Sequence, residues 1–182
     1  MSKPAGIIAV LAAACALSPA AALADTRIYS YEAGSPAARA LAETGLSFQF
    51  EQHVLGGTRI ERIMQTGERG SADLRPASER DLGPGGLKAA LGPEKPAGGL
   101  YRISGEEDGQ AFVNAVCPGA DRAWLVIGSL RRFADLTVQA IGKDPGAQAA
   151  KRCVTLRFSF RSDWRLPERD PPRIRFSTRG TP

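Results

Sequence analysis

Two cysteines in the body of the chain carry the clearest chemical prediction. Cys117 and Cys153 lie 36 positions apart, and the only other cysteine, Cys15, falls in an apolar N-terminal stretch. In an oxidising compartment, two isolated thiols of this kind pair as a disulfide. Closing a loop of this length stabilises the folded chain by about 3.8 kcal/mol, because the unfolded chain loses entropy. A metal site is not indicated, because the chain has one histidine, His53, and no Cys-x-x-Cys pair.

General acid–base chemistry has two sets of candidates. His53 lies beside Glu51 in a predicted strand near a turn, but a general base needs a partner that the sequence does not show. Glu106, Glu107 and Asp108 form an acidic triplet. They also fall in the first turn of a predicted helix, where the dipole favours negative charge without catalysis. No Gly-x-Ser-x-Gly motif is present, so a non-enzymatic protein is favoured and a small hydrolase using His53 or carboxylates is the alternative.

The C-terminal segment is strongly basic. From Lys151 onward it has nine Lys or Arg against three Asp or Glu, a balance of +6 in a chain whose net charge is +5. Such a segment attracts acidic partners, for example lipid headgroups or lipopolysaccharide. Arg also outnumbers Lys by 19 to 5 throughout, which GC-rich coding alone would produce. The candidate residues for binding a polyanion are Arg157, Arg161, Arg165, Arg173 and Arg175.

The N-terminus has the three parts of a secretory signal. Lys3 supplies the positive start, residues 5–17 are apolar, and Ala22-Leu23-Ala24 has the form of a signal-peptidase site. The sequence predicts a signal peptide over residues 1–24, cleavage before Asp25, and a periplasmic or secreted product. Nucleic acid is not expected as a partner outside the cytoplasm. No later segment is long and apolar enough to predict a membrane-spanning helix.

Cys15 offers an alternative at this end of the chain. The stretch LAAAC, residues 11–15, loosely resembles a bacterial lipoprotein box, although its leucine stands one position too far from the cysteine. A lipoprotein acylated at Cys15 is therefore the alternative to a plain secreted protein. Membrane association is expected only in that case.

Residues 25–182 are predicted to form a single domain with a loop at 82–100. Nine of the nineteen residues in that loop are Gly or Pro, which leaves room for at most one helical turn at 87–91. A phosphate-binding P-loop is excluded, because Lys88 is followed by Ala89 instead of Ser or Thr. The sequence therefore indicates no cofactor.

The same order of elements is predicted on both sides of this loop. Before it, residues 26–33 predict a strand, 35–45 a capped helix, and 46–65 a hairpin turning at Gly56-Gly57. After it, residues 100–103 predict a strand, and the capping box Ser104-x-x-Glu107 opens a helix through Val116. A hairpin turning at Gly128-Ser129 follows. Residues 124–127 are all apolar, which predicts a central strand covered on both faces.

The strand after Cys153 alternates regularly. Its even-numbered residues are predicted to face the core and its odd-numbered ones water. Cys153 falls on the polar side, so either the disulfide lies at the strand's end or a helix covers part of that face. Trp164 has the core parity, although a surface loop binding a peptide or glycan is its other interpretation. Residues 171–178 predict an edge strand. The expected core residues are Val154, Leu156, Phe158, Phe160 and Trp164, and the expected exposed ones are Thr155, Arg157, Ser159 and Arg161.

These features together predict an α+β fold with a mainly antiparallel sheet, two short helices, a strand–helix–hairpin unit used twice and one disulfide. The function predicted is that of an exported envelope protein that binds another protein or an acidic envelope component. A small periplasmic hydrolase and a lipid carrier are the alternatives.

Overall fold

The described residues form one closed antiparallel barrel of eight strands. The computed structural model describes residues 25–53, 57–66, 70–93, 98–106 and 108–166. Each strand pairs with the next along the chain, and β8 pairs with β1 to close the barrel. In chain order the strands are β1 (Asp25–Ala33), β2 (Leu46–Gln52), β3 (Thr58–Gln65), β4 (Ser71–Pro76), β5 (Gly99–Ile103), β6 (Arg122–Ile127), β7 (Leu136–Lys143) and β8 (Lys151–Arg165).

Closure depends on the length of β8. Its first half pairs with β7 and its second half with β1, so that Phe158 lies opposite both Leu136 and Ala33. This stagger between neighbours is what a barrel of tilted strands requires. The predicted antiparallel sheet is thus confirmed, and its closure into a barrel is a feature that the sequence did not predict.

The barrel interior is filled by alternating side chains of every strand. An eight-stranded barrel is just wide enough for this. Helices α1 (Pro36–Leu41) and α3 (Gly109–Val116) lie at the end where β1 and β5 finish, and both contribute to the core. None of the helices in the described ranges is long and apolar enough to cross a membrane. The largest fully buried interior side chains include Tyr31, Leu46, Phe48, Ile63, Leu125, Ile127, Leu156 and Phe158.

A second, smaller core lies outside the barrel. A 3₁₀ helix (Glu79–Leu82), which ends where the predicted loop begins, and α2 (Gly86–Leu91), which lies within that loop, pack against outward-facing Trp124, Val126 and Ile141. The prediction that residues 124–127 are covered on both faces is therefore confirmed.

The disulfide between Cys117 and Cys153 is present and ties the end of α3 to the start of β8. Ala140 pairs with Val154 but Ile141 with Arg152, so Cys153 is the extra residue of a β-bulge. The bulge interrupts the alternation and explains how a residue of polar parity meets the helix. A disulfide of this kind indicates an extracytoplasmic compartment. Residues 1–24, which contain the predicted signal, lie outside the described residues.

A second bulge in β8 overturns the prediction for Trp164. Tyr31 pairs with Phe160 but Ser30 with Ser162, so Arg161 is the extra residue. Beyond it the two faces of the strand exchange, because a single inserted residue shifts the two-residue period by one. Trp164 therefore points outward and is 63% exposed instead of entering the core.

Two boundaries also differ from prediction. The connection between β6 and β7 is not a two-residue turn at Gly128-Ser129, because it spans the eight residues 128–135 and packs Leu130 against the core. Helix α3 begins at Gly109, whereas the Ser104 hydroxyl only accepts a long 3.5 Å bond from the Glu106 amide. Glu107, Gly56 and the predicted strand 171–178 lie outside the described residues.

Candidate functional site

The arginines predicted on β8 are exposed, and two of them lie near carboxylates of β1. Arg161 Nε lies 3.6 Å from Glu32 Oε1, and Arg165 Nη2 lies 3.3 Å from Asp25 Oδ2. Arg157 forms no ion pair within the described part of the chain. Arg173 and Arg175 lie outside it. Asp25 also pairs with Arg27, and a polyanion site formed by these arginines stays a prediction.

Four other arginines gather on the outer face of β3, β4 and β5, on the side of the barrel away from β8. Each is next in sequence to an inward-facing residue such as Ile60, Ile63, Leu74 or Tyr101, and strand alternation therefore turns it outward. We call this surface the arginine wall. It consists of Arg59, Arg62, Arg75 and Arg102.

The arginine wall contains an unfavourable pair. Arg75 and Arg102 are direct partners across the β4–β5 ladder. Like charges directly opposite one another destabilise a sheet. Among the described residues, Arg75 forms one long ion pair, with its Nη2 3.7 Å from Glu106 Oε1, and both side chains are more than two-thirds exposed. Solvent screens such a contact strongly, so Glu106 neutralises Arg75 only weakly.

The rest of the wall is only partly neutralised. Arg62 Nε donates a 2.7 Å hydrogen bond to Asp73 Oδ1 on the neighbouring strand. Glu61 Oε2 accepts a bond from Gln49 Nε2 at 3.4 Å instead of pairing with an arginine. Arg59 and Arg102 form no ion pair with any described residue.

The wall is concave. A depression of about 410 Å³ is lined by Arg59, Glu61, Arg62, Asp73 and Arg75. A second of about 280 Å³ shares Arg75 and adds Arg102, Ser104 and Glu106. The two depressions therefore form one polar surface on which guanidinium groups from three strands converge. Such groups bind carboxylates and phosphates in a planar, two-pronged geometry.

The acid–base candidates do not converge. His53 lies at the end of β2, with its Nε2 3.9 Å from Glu51 Oε2, and both side chains are substantially exposed. Glu106 contacts Arg75, whereas Asp108 is the residue preceding α3 and makes no side-chain cap bond. Within the described ranges, no cluster of three His, Cys, Asp or Glu side chains could hold a metal ion.

The barrel interior holds an aromatic cluster, which we define as Tyr29, Tyr31, Phe48, Phe50 and Phe160. The ring centroids lie between 4.7 and 5.8 Å apart in successive edge-to-face contacts. Burial raises the pKa of the Tyr31 phenol well above its ordinary value of 10.0. The hydroxyl group of Tyr31 is buried and has no hydrogen-bond partner among the described residues.

Two features of the strands kept the arginine wall from being predicted from the sequence. Strand β4, which carries Arg75, was not predicted. A bulge in β3 also places Glu61 as an extra residue, since Phe50 pairs with Ile60 and Gln49 with Arg62. Arg59 and Arg62 are an odd and an even residue, so a regular strand would turn them to opposite faces. The bulge at Glu61 brings both to the same outer face.

Comparison of the chain with known protein families, with curated proteins and with solved structures found no match.

Proposed function

We propose that this chain is an exported envelope protein that binds an acidic envelope component through the arginine wall. The observation that supports this most directly is the pairing of Arg75 with Arg102 across adjacent strands. A phosphate or carboxylate group between the two guanidinium groups would replace their repulsion with charge-assisted hydrogen bonds, which are about twice as strong as neutral ones.

The arrangement favours a ligand with several negative charges. Adjacent strands lie about 4.8 Å apart, so arginines on three strands cover a width of roughly 10 Å. One isolated anion would engage only part of that width. The phosphate-bearing headgroup layer of an anionic lipid or glycolipid presents repeated charges, and it is the class of ligand that we assign.

Two further features support an extracytoplasmic site for this binding. The Cys117–Cys153 disulfide suits an oxidising compartment. All eight strands of the described barrel lie between residues 25 and 165, so cleavage before Asp25 would leave the barrel whole. We propose residues 1–24 as the cleaved signal and the periplasm or the exterior as the destination. Lipidation of Cys15 remains the alternative to cleavage there.

Vesicle co-sedimentation tests the proposal. The mature protein is mixed with vesicles of phosphatidylglycerol and phosphatidylcholine, with vesicles carrying lipopolysaccharide, and with pure phosphatidylcholine. We expect salt-sensitive binding to the first two only, because counter-ions screen exposed charges. The double variant Arg75→Gln/Arg102→Gln should bind about tenfold more weakly or worse, since each charge-assisted contact contributes roughly 1.5–3 kcal/mol.

The matched control is Arg161→Gln/Arg165→Gln, which removes two arginines that already have carboxylate partners on β1. We expect this control to retain most of its binding. If neither anionic vesicle is bound at physiological salt, or if both double variants lose affinity equally, the arginine wall is not the binding site.

A further inference from the structure

The connection between β6 and β7, which we call the cover loop (residues 128–135), lies over one end of the aromatic cluster. Phe133 of this loop contacts Phe160 with ring centroids 5.4 Å apart, and Leu130 packs against the interior core. The loop lies where β8 extends beyond its pairing with β7, because β7 begins only at Leu136, opposite Phe158. It closes the barrel where the sheet itself does not.

The cover loop is held by few interactions. At its base the Gly128 amide donates to the Thr137 carbonyl at 3.1 Å. Further along, Arg132 Nη2 lies 3.1 Å from Asp163 of β8, in an ion pair that is half exposed on the arginine side. Exposed pairs of this kind contribute little, so the packing of Leu130 and the Phe133–Phe160 contact provide most of what holds the loop closed.

The loop also carries two unfavourable features. Phe133 has φ = 59°, a left-handed conformation that is rare for a residue other than glycine. Its side chain is 82% exposed, although an aromatic cluster lies directly beside it. Backbone strain and an exposed apolar ring in one short segment are typical of functional loops.

Beneath the loop, Tyr31 supplies a polar group without a partner. The residue is only 1% exposed, and its hydroxyl forms no hydrogen bond with any residue that the structure describes. The backbone of Arg131 in the cover loop approaches it and slightly favours the ionised phenol, without the geometry of a hydrogen bond. A buried hydroxyl left unpaired costs free energy that a bound ligand atom could recover.

From these observations we infer that the aromatic cluster beneath the cover loop is a binding site for a small, flat, apolar ligand with one hydrogen-bonding atom. The loop opens, Leu130 withdraws, and the first ring of the ligand takes its place against Tyr29 and Phe160. The polar atom of the ligand bonds to the Tyr31 hydroxyl. This site is separate from the arginine wall and requires no charge on the ligand.

Titration with N-phenyl-1-naphthylamine tests the inference, because this uncharged fluorescent probe has two aromatic systems and one N–H donor. We expect saturable binding of one probe per chain with a rise in emission. Tyr31→Phe should weaken this binding about threefold to tenfold, since one neutral hydrogen bond is lost. Asp163→Asn, which releases the cover loop, should speed association about twofold to fivefold.

Two matched controls make the result specific. Tyr101→Phe removes another interior tyrosine hydroxyl, and Asp144→Asn removes the carboxylate of an exposed ion pair with Lys151 at the other end of the barrel. Neither should change probe binding. The inference is overturned if neither the wild type nor Asp163→Asn binds the probe saturably, or if Tyr31→Phe binds it as tightly as Tyr101→Phe does. Arg75→Gln/Arg102→Gln should bind the probe normally, which separates this site from the anion site.

Discussion

Replacing Tyr31 with phenylalanine should make the protein more stable. The substitution removes one oxygen atom from a side chain that is 1% exposed and leaves the surrounding rings in place. Because that hydroxyl has no hydrogen-bond partner in the described part of the chain, its desolvation on folding is not offset by a hydrogen bond. An unsatisfied buried polar group costs about 1–3 kcal/mol. The vacated space and the lost contact with the Arg131 backbone offset part of this cost.

We therefore expect the free energy of unfolding to rise by about 1 kcal/mol, at the low end of that range. In a chain of this size, the corresponding increase in Tm is about 2–4 °C. Urea denaturation, followed by circular dichroism, measures the change as a shift in midpoint at constant slope. The Tyr101→Phe variant is the control and should show no comparable gain.

The pH dependence gives an independent check. The pKa of Tyr31 is raised in the folded state above the ordinary value of 10.0, because burial disfavours the phenolate. Ionisation of Tyr31 therefore leaves the free energy of unfolding unchanged below pH 10. Above pH 10 the free energy of unfolding falls, because the unfolded chain releases the proton first. The wild type should lose stability more steeply above pH 10 than Tyr31→Phe. A destabilised Tyr31→Phe variant, with parallel alkaline profiles, would mean that the hydroxyl has a partner after all.

Three further predictions concern the disulfide of the barrel and its surface. Replacing Cys117 and Cys153 together with alanine should lower the free energy of unfolding by up to about 3.8 kcal/mol, measured by urea denaturation against the oxidised parent. Gly142→Ala should lower the free energy of unfolding by about 1–3 kcal/mol in the same assay through overpacking. Its Cβ would lie 2.7 Å from Cys153 Sγ and 2.9 Å from Cys117 Sγ. An unchanged urea midpoint would show that the disulfide can shift to make room. Trp164→Ser should change the free energy of unfolding by less than about 0.5 kcal/mol, because an exposed side chain contributes little packing, and a larger loss would place that tryptophan in a core.

Local patterns in the sequence predicted much of the fold. Apolar alternation located β1, β2, β3 and β8, and a run of apolar residues located β6 between its two cores. The serine–proline start of α1 also held, since the Ser35 hydroxyl accepts from the Ala38 amide at 3.2 Å. These signals act over a few residues, where the chemistry of one segment determines its own conformation.

The barrel closure was not predictable in the same way. It requires β4, whose six residues SADLRP include only two inward-facing apolar side chains, Ala72 and Leu74, and end in proline. It also requires β8 to pair with β1, a contact between opposite ends of the chain that no local pattern encodes. Without β4 in the prediction, an open sheet with two helices was the simplest arrangement.

The bulges explain why some residues lie on a different face of the strand from the one that simple alternation predicts. Each inserts one residue and exchanges the faces of the strand beyond it, so a regular pattern read through a bulge assigns the wrong side. In β8 this error placed Trp164 in the core. In β3 it hid the common outer face of Arg59 and Arg62. In both strands the register determines which side chains lie on the same face.

The two ends of the barrel differ in a way that bears on where a ligand enters. At one end α1 and α3 close the interior, and the Cys117–Cys153 bond fixes α3 to β8. At the other end the cover loop closes it with one inserted leucine and one exposed ion pair. Local opening follows the weakest closure, because its probability depends on the interactions that must be broken. A ligand should therefore reach the aromatic cluster past the cover loop, and reducing the disulfide should leave the entry rate of an uncharged probe unchanged as long as the barrel stays folded.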